Sequence, residues 1–140
     1  MKELFIDTGA WVALNNKRDS YHLMAVRANR KFLDNGYFYV TSNFVLDEAF
    51  TLLRHDAGHK KAVEFGHEIK YLETIRKIQV LYINQSLMYR AFDLYEKYSD
   101  KDFSFTDCAS FILMEMRDIN EAFSFDKHFE QRNFIRLPII

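Results

Sequence analysis

Four acidic residues, Asp7, Glu48, Asp107 and Asp126, each lie at the end or on the flank of a mainly apolar segment. A carboxylate in apolar surroundings is costly to desolvate unless it binds a cation or accepts hydrogen bonds. Four carboxylates that converge would repel one another unless a cation neutralises them. Because all-oxygen ligands suit Mg²⁺ or Mn²⁺ better than zinc or copper, the four acids predict a Mg²⁺ or Mn²⁺ site.

Three of these acids also have a structural interpretation. Asp7, Asp107 and Asp126 each lie just before or at the start of a predicted helix, where a carboxylate can cap free backbone amides. Glu48 is different because it lies within a predicted helix. Successive residues at 100° intervals place Glu48 at the margin of the apolar face and turn Asp47 to solvent. Capping predicts scattered carboxylates, whereas a common site predicts that they converge.

The elements that must position these acids alternate along the chain. Short apolar or β-branched runs predict five strands, at residues 4–6, 37–41, 79–83, 121–124 and 134–137. Apolar residues at helical spacing predict helices between them, the second starting after Ser20 as its N-cap. This alternation predicts an α/β fold, with a parallel sheet and helices on both faces. Asp7 and Asp126 end strands, so both should open onto the carboxyl edge, where such sheets bind ligands.

No competing catalytic motif is present in the sequence. It contains no phosphate-binding glycine loop, no GxSxG nucleophile elbow and no CxxC pair. The histidines lack metal-motif spacing, so all five are expected on the surface: His22, His55, His59, His67 and His128. Cys108 is expected to be a small buried core residue rather than a nucleophile.

The composition of the chain limits which other classes of protein it can belong to. A chain of 140 residues, 49% hydrophobic and 16% aromatic, suffices for one well-packed domain, which we expect to span residues 1–140. The net charge of -1 excludes a global basic field, so any nucleic-acid partner must be held by local cations or a metal. A single cysteine, no signal-peptide core and no apolar run of membrane-spanning length predict a cytoplasmic protein with no membrane partner.

Four motifs in order give the chain a specific resemblance. They are FIDTGAWVAL, SNFVLDEAFTLL, FSFTDCASFILM and AFSFDKHFEQ, and together they extend over essentially the whole sequence. Each motif is weak alone, but the four in this order and spacing resemble the PIN-domain family. The likeness is greatest to the VapC-type toxins of toxin–antitoxin pairs and their solitary relatives.

This resemblance implies a fold and an activity. The fold is a three-layer α/β/α domain around a parallel sheet of four or five strands. The activity is that of a metal-dependent endoribonuclease, which hydrolyses an RNA phosphodiester and leaves a 5′-phosphate and a 3′-hydroxyl. A Mg²⁺ or Mn²⁺ cofactor, a homodimer and an antitoxin protein partner are also implied.

The family's functional residues carry over by motif. Its four acids fall on Asp7, Glu48, Asp107 and Asp126, with Asp7 and Asp107 holding the principal metal. The hydroxyls that accompany them fall on Thr8, Ser104 and Thr106. The residues expected nearest the mouth of the site, as RNA contacts, are Lys17 and Arg18, and Lys127 with its neighbour His128 beside Asp126. The charged loop at 99–103 offers two further candidate ligands, Asp100 and Asp102.

The aromatic content predicts partner surfaces. With 14 Phe and 8 Tyr, a domain of this size should leave some rings exposed. The helix pair over residues 43–72 is the expected antitoxin groove, because Phe44 and Phe50 fall near the edges of the apolar stripe around Glu48. An arginine from the partner could reach the acidic pocket there and compete with metal.

Two alternatives remain open from the sequence. A receiver-like phosphoacceptor signalling domain also places acids at strand ends around Mg²⁺. It needs adjacent acids near the N-terminus, however, and Asp7 has no acidic neighbour. A non-catalytic PIN-like module that binds RNA or a protein would keep the same ligands without turnover.

Overall fold

The structure is a computed structural model that describes residues 2–140. Within that range five strands alternate with seven helices, in the order β1 Glu3–Ile6, α1 Thr8–Asn15, α2 His22–Asp34, β2 Phe38–Ser42, α3 Asn43–Ala57, α4 His59–Thr74, β3 Ile78–Leu81, α5 Gln85–Lys97, α6 Phe105–Arg117, β4 Glu121–Phe123, α7 His128–Gln131 and β5 Ile135–Leu137. All five predicted strands are present, with their ends shifted by only one or two residues.

The strands form one parallel sheet in the order β3-β2-β1-β4-β5. Register is fixed on both sides of the central strand, where Leu4 pairs with Tyr39 of β2 and Ile6 pairs with Phe123 of β4. The chain adds strands outward on one side of β1 and then returns to add β4 and β5 on the other. The gap between β1 and β4 is therefore the topological switch point, where open α/β sheets bind ligands beyond the carboxyl ends.

Helices cover both faces of the sheet. Right-handed crossovers place α1 to α4 on one face and α5 to α7 on the other, because the chain reverses its direction across the sheet after β3. Aromatic packing follows this division: Trp11 meets Phe65 on the first side at 5.6 Å between centroids, and Phe111 meets Phe129 on the second at 5.2 Å. The predicted three-layer α/β/α fold with a five-stranded parallel sheet is confirmed.

The strand order excludes one of the alternatives drawn from the sequence. Receiver domains have the order 2-1-3-4-5, in which the central strand is the third along the chain. Here the first strand is central, in the order 3-2-1-4-5. The receiver-like interpretation is therefore wrong.

The second helix starts later than the sequence predicts. Tyr21, not Ser20, is its N-cap, and it makes no side-chain capping bond. Instead Asp19 Oδ1 accepts a hydrogen bond from the Tyr21 backbone N–H at 2.9 Å, so an aspartate turn directs the chain into α2. Within residues 2–140, no helix is both long and apolar enough to cross a membrane.

Candidate metal centre

Asp7 is placed by the end of the central strand. Its backbone N–H donates to the Phe123 carbonyl of β4 at 3.0 Å. A buried polar chain fixes the preceding residue, because Trp11 Nε1 donates to Thr41 Oγ1 and Thr41 Oγ1 donates to the Ile6 carbonyl. Asp7 occupies the N-cap position of α1, but its side chain makes no capping hydrogen bond. Helix capping therefore does not account for this carboxylate, which is only 6% exposed.

Ser124, which follows β4, connects two of the acids. Its fully buried hydroxyl donates to Asp7 Oδ2 at 2.9 Å and accepts from the Asp126 backbone N–H at 3.0 Å. This serine thus fixes the carboxyl end of β1 relative to the loop after β4. A lone serine gives no sequence signal by periodicity, and it was not among the predicted site residues.

Asp107 belongs both to a cap and to the cluster of acids. It is the third residue of α6, where its backbone N–H donates to Ser104 Oγ at 2.9 Å and its Oδ2 accepts from the Ser104 N–H at 3.0 Å. This reciprocal pair is a capping box. The capping interpretation therefore holds for Asp107, and the cap holds its carboxylate at the cavity wall rather than excluding it from a site.

His128 is not the surface residue that the sequence predicted. Its Nδ1 lies 2.8 Å from Asp107 Oδ2 and 3.0 Å from Asp126 Oδ2, and its side chain is only 16% exposed. Because both neighbours are acceptors when ionised, Nδ1 carries a proton in that state. The prediction failed because it searched for metal-motif spacing among the histidines. The position of His128 two residues after Asp126 did place it near the mouth of the site, and Asp126 Oδ1 accepts from the His128 backbone N–H at 3.0 Å.

Two carboxylates of the cluster have raised pKa values. The pKa of Asp7 is raised to about 7, chiefly by burial and then by the nearby charge of Asp107, against the lowering effect of the Ser124 hydrogen bond. Burial also raises the pKa of Asp107, against the opposing effect of its bond to Ser104. A cation between these carboxylates would stabilise their ionised forms.

The side chains present fit a divalent cation. Ligand atoms of Asp107, Asp126 and His128 all lie within 4.8 Å of one another. Thr8 Oγ1 is buried and has no hydrogen-bond partner among residues 2–140, so it is free to interact with a bound group. Carboxylate oxygens suit Mg²⁺ or Mn²⁺, whereas an imidazole nitrogen does not favour Mg²⁺, so the fit rests on the acids.

A cavity of about 610 Å³ opens over this cluster. Of the residues predicted for the site, the following line it: Asp7, Thr8, Glu48, Ser104, Asp107, Asp126 and Lys127. Glu48 is half-buried and Asp47 is exposed, as their helical phase predicts. Thr106 does not line the cavity, and neither do the two loop acids Asp100 and Asp102.

Lys17 and Arg18, which were predicted near the mouth, are not among the residues that line this cavity, although Asp19 next to them is. The turn after α1 is held by Asn16 Oδ1, which accepts from the Arg18 N–H at 3.1 Å. Arg18 Nη2 then donates to the Asp56 carbonyl near the end of α3, also at 3.1 Å. This turn directs the arginine to the end of α3 and leaves Lys127 as the predicted cation on the wall.

Several lining residues were missed by sequence reasoning: Gly9, Asp19, Tyr21, Leu52 and Phe125. Tyr21 and Phe125 stack on each other, with ring centroids 4.4 Å apart and an interplanar angle of 7°. They come from distant parts of the chain, and only the fold brings them together.

Comparison with known proteins supports a family assignment. A sequence model of the PIN domain matches residues 4–135. The 23S rRNA-specific endonuclease VapC20 of Mycobacterium tuberculosis (strain H37Rv) is 31% identical over 134 residues, which cover 96% of this chain and 97% of the relative.

Two crystal structures have a similar fold. That of Mycobacterium tuberculosis VapC20, described as a Sarcin-Ricin loop cleaving toxin, aligns with a TM-score of 0.82 at 29% identity and covers 94% of this chain and 96% of that one. That of VapBC2 from Rickettsia felis, bound to a DNA fragment from their promoter, aligns with a TM-score of 0.64 at 12% identity over 96% of each chain. The second likeness shows the fold alone.

Proposed function

The chain belongs to the PIN-domain family, and from that premise we propose that it is a metal-dependent endoribonuclease, the toxin of a toxin–antitoxin pair. Its reaction is the hydrolysis of RNA phosphodiester bonds. The relative that is 31% identical is named for 23S rRNA, so 23S rRNA is the first substrate to test.

One observation carries the proposal. Carboxylates from four separate elements, Asp7, Glu48, Asp107 and Asp126, line one cavity at the switch point of the sheet. The raised pKa of Asp7, at about 7, supports a site adapted to a cation, because a folded protein gains nothing from burying such a charge alone. Capping alone would have left the acids apart.

The residues take distinct roles in this proposal. Asp7 and Asp107 hold the principal cation, and Glu48 and Asp126 assist directly or through water. Thr8, Ser104 and Thr106 orient ligands or phosphate oxygens, Thr106 indirectly because it lies off the cavity wall. A bound divalent cation supplies charge neutralisation at the scissile phosphate and makes water a stronger nucleophile at neutral pH. Lys127, exposed on the wall, supplies a phosphate contact.

The same family assignment leads to proposals for the metal ion and for the protein partners. The ion is Mg²⁺, with Mn²⁺ as its substitute, and the protein acts in the cytoplasm as a homodimer. An antitoxin occupies the groove between α3 and α4. Exposed apolar side chains support that groove, since Phe50 of α3 is 37% and Val63 of α4 is 42% exposed.

A cleavage assay tests the proposed activity. Purified protein is incubated with 23S rRNA and Mg²⁺, Mn²⁺ or a chelator, and the product ends are mapped. We expect cleavage only with metal, leaving 5′-phosphate and 3′-hydroxyl ends. Asp7→Asn should lower the rate by about 100-fold or more, because it removes a metal-facing charge.

Two adjacent residues of α3 provide a matched control. Glu48→Gln should reduce the cleavage rate by roughly 10- to 100-fold, whereas Asp47→Asn, on the exposed side of the same helix, should leave it near wild type. Equal effects from the two substitutions would contradict the role of Glu48. Cleavage that persists in chelator and in Asp7→Asn would contradict the proposed reaction.

A further inference from the structure

The stacked pair of Tyr21 and Phe125 lies on the wall of the acidic cavity and has no part in holding the cation. The two rings are almost parallel, at 4.4 Å and 7°. Both line the same cavity as Asp7 and Asp107. Tyr21 is 40% exposed, so the pair forms a rim that is open to solvent on the Tyr21 side rather than part of the closed core.

Contacts with neighbouring residues fix both rings in position. The Tyr21 backbone is fixed by its 2.9 Å hydrogen bond to Asp19 Oδ1 at the entry to α2. Phe125 is half-buried and packs edge-on against Phe123, which is fully buried, with centroids 6.1 Å apart. A ring held in this way loses little conformational entropy when a flat ligand stacks on it.

The charges around the cavity disfavour the binding of RNA, because most of them have the same sign as its phosphates. The wall carries one lysine, Lys127, against five carboxylates: Asp7, Asp19, Glu48, Asp107 and Asp126. A bound cation offsets part of this negative charge, but the wall offers few phosphate contacts of the usual kind. Contacts to the bases therefore have to supply binding energy, and stacking on an aromatic ring is the sequence-tolerant way to do so.

We propose that Tyr21, backed by Phe125, stacks an unpaired base of the RNA substrate beside the acids and so positions the substrate in the cavity. The proposal rests on the proposed nuclease function and adds a substrate-positioning residue to that site. A base within a duplex is already stacked and paired, so its face is not available to Tyr21. An unpaired base next to the scissile phosphate has a free face and brings that phosphate to the cavity.

The test compares three variants at position 21 on matched RNAs. Tyr21→Phe keeps the ring, Tyr21→Leu keeps apolar cover over Phe125 without a π face, and Tyr21→Ala removes both. Tyr71→Ala is the control, because Tyr71 is 62% exposed on α4 and away from the cavity. Each protein is checked for folding by circular dichroism and assayed on one RNA sequence presented as a loop and as a duplex.

Tyr21→Leu and Tyr21→Ala should raise KM for the loop roughly 5- to 150-fold, which is the fold-change for a lost stacking contact of about 1–3 kcal/mol. Tyr21→Phe and Tyr71→Ala should match wild type, and the duplex should be a poor substrate for every protein. A second readout does not need turnover. A single-stranded RNA with 2-aminopurine should lose fluorescence on binding to wild type and Tyr21→Phe, and should keep it with Tyr21→Leu.

The outcomes separate the two proposals. If wild type cleaves the loop and Tyr21→Leu has the same KM and the same quenching, the stacking role is overturned. Equal cleavage of loop and duplex by wild type also overturns it. If wild type cleaves neither RNA but still quenches 2-aminopurine through Tyr21, the base platform stands and the nuclease proposal fails. Loss of both cleavage and quenching in folded wild type overturns both.

Discussion

At the scale of single residues, the buried carboxylate of Asp7 opposes the folding of the metal-free protein. Its pKa is about 7 in the folded chain, chiefly because of burial, against an ordinary value of 3.8. Between these two values the folded state binds a proton that the unfolded chain has released. Stability of the metal-free protein therefore falls as pH rises from about 4 to about 7 and stays low above that range.

Replacing Asp7 with asparagine should remove this loss of stability at higher pH. With chelator at pH 8, Asp7→Asn should raise the free energy of unfolding by about 1–4 kcal/mol, since each unit of pKa shift corresponds to about 1.4 kcal/mol. At pH 4 wild type and variant should be nearly equal. Urea unfolding at the two pH values measures the difference, and Mg²⁺ should raise the melting temperature of wild type much more than that of the variant.

The control for this experiment is Asp47→Asn, which removes an exposed carboxylate of α3 and should show no such pH dependence. If Asp7→Asn changed stability equally at pH 4 and pH 8, burial of an ionised Asp7 would not be the cause. The same residue would then have to act through packing or through its hydrogen bond with Ser124.

At the scale of elements, the N-terminus of α6 has two tasks. The capping box between Ser104 and Asp107 satisfies free amides of the helix, and the same bonds orient the Asp107 carboxylate. The Asn84 cap of α5 is a simple cap in comparison: its Oδ1 accepts from the Leu87 N–H at 3.0 Å and it does not line the cavity. The two caps allow stability and function to be separated.

Ser104→Ala and Asn84→Ala should each lower the free energy of unfolding by about 1 kcal/mol, the usual effect of losing an N-cap. Only Ser104→Ala should also slow RNA cleavage, by roughly 10-fold, because the Asp107 backbone N–H loses its Ser104 Oγ acceptor and the turn that carries the Asp107 carboxylate is held less firmly. The backbone N–H of residue 104, which donates to Asp107 Oδ2, is kept in this variant. Ser104→Thr should restore both properties. Chemical unfolding and single-turnover cleavage measure the two effects. Equal cleavage rates for the two alanine variants would show that the capping box has only a structural task.

The elements were predictable from the sequence because their signals are local and periodic. The strand before Asp7 and the helix around Glu48 follow from apolar spacing and turn residues over a few positions. The same holds for the shared edge of Asp7 and Asp126, which depends only on strands being parallel. Ser124 and Tyr21 were missed, and His128 was expected near the mouth but exposed, because their contacts come from chain segments that only the fold brings together. Where a side chain points within a loop is decided by such contacts.

At the scale of the whole molecule, the sheet order explains why one site collects distant residues. Starting from β1 in the centre, the chain passes the carboxyl edge after each strand, and the reversal after β3 opens the crevice between β1 and β4. Asp7 enters from one side of this crevice and Asp126 from the other. The helices α3 and α6 then present Glu48 and Asp107 from the two faces of the sheet.

The outer surface of the molecule also carries an exposed apolar face on α5. Met88 is 48%, Phe92 52% and Tyr95 47% exposed, and they recur at helical spacing. The neighbouring side of the helix, about 100° away, is buried through Leu87 and Ala91, so only part of the apolar surface of α5 is covered within the chain. Uncovered apolar surface of this kind is typical of a protein interface.

We predict that this face of α5 pairs with the same face of a second copy, since a two-fold interface is made of one self-complementary patch. Light scattering at micromolar concentration should give the mass of two chains for wild type. Phe92→Glu should give the mass of one chain, because it places a charge at the centre of the buried patch. Tyr71→Glu, on the exposed side of α4, should remain a dimer. A single-chain mass for wild type would refute the dimer and leave the nuclease proposal intact, because every residue assigned to the site comes from one chain.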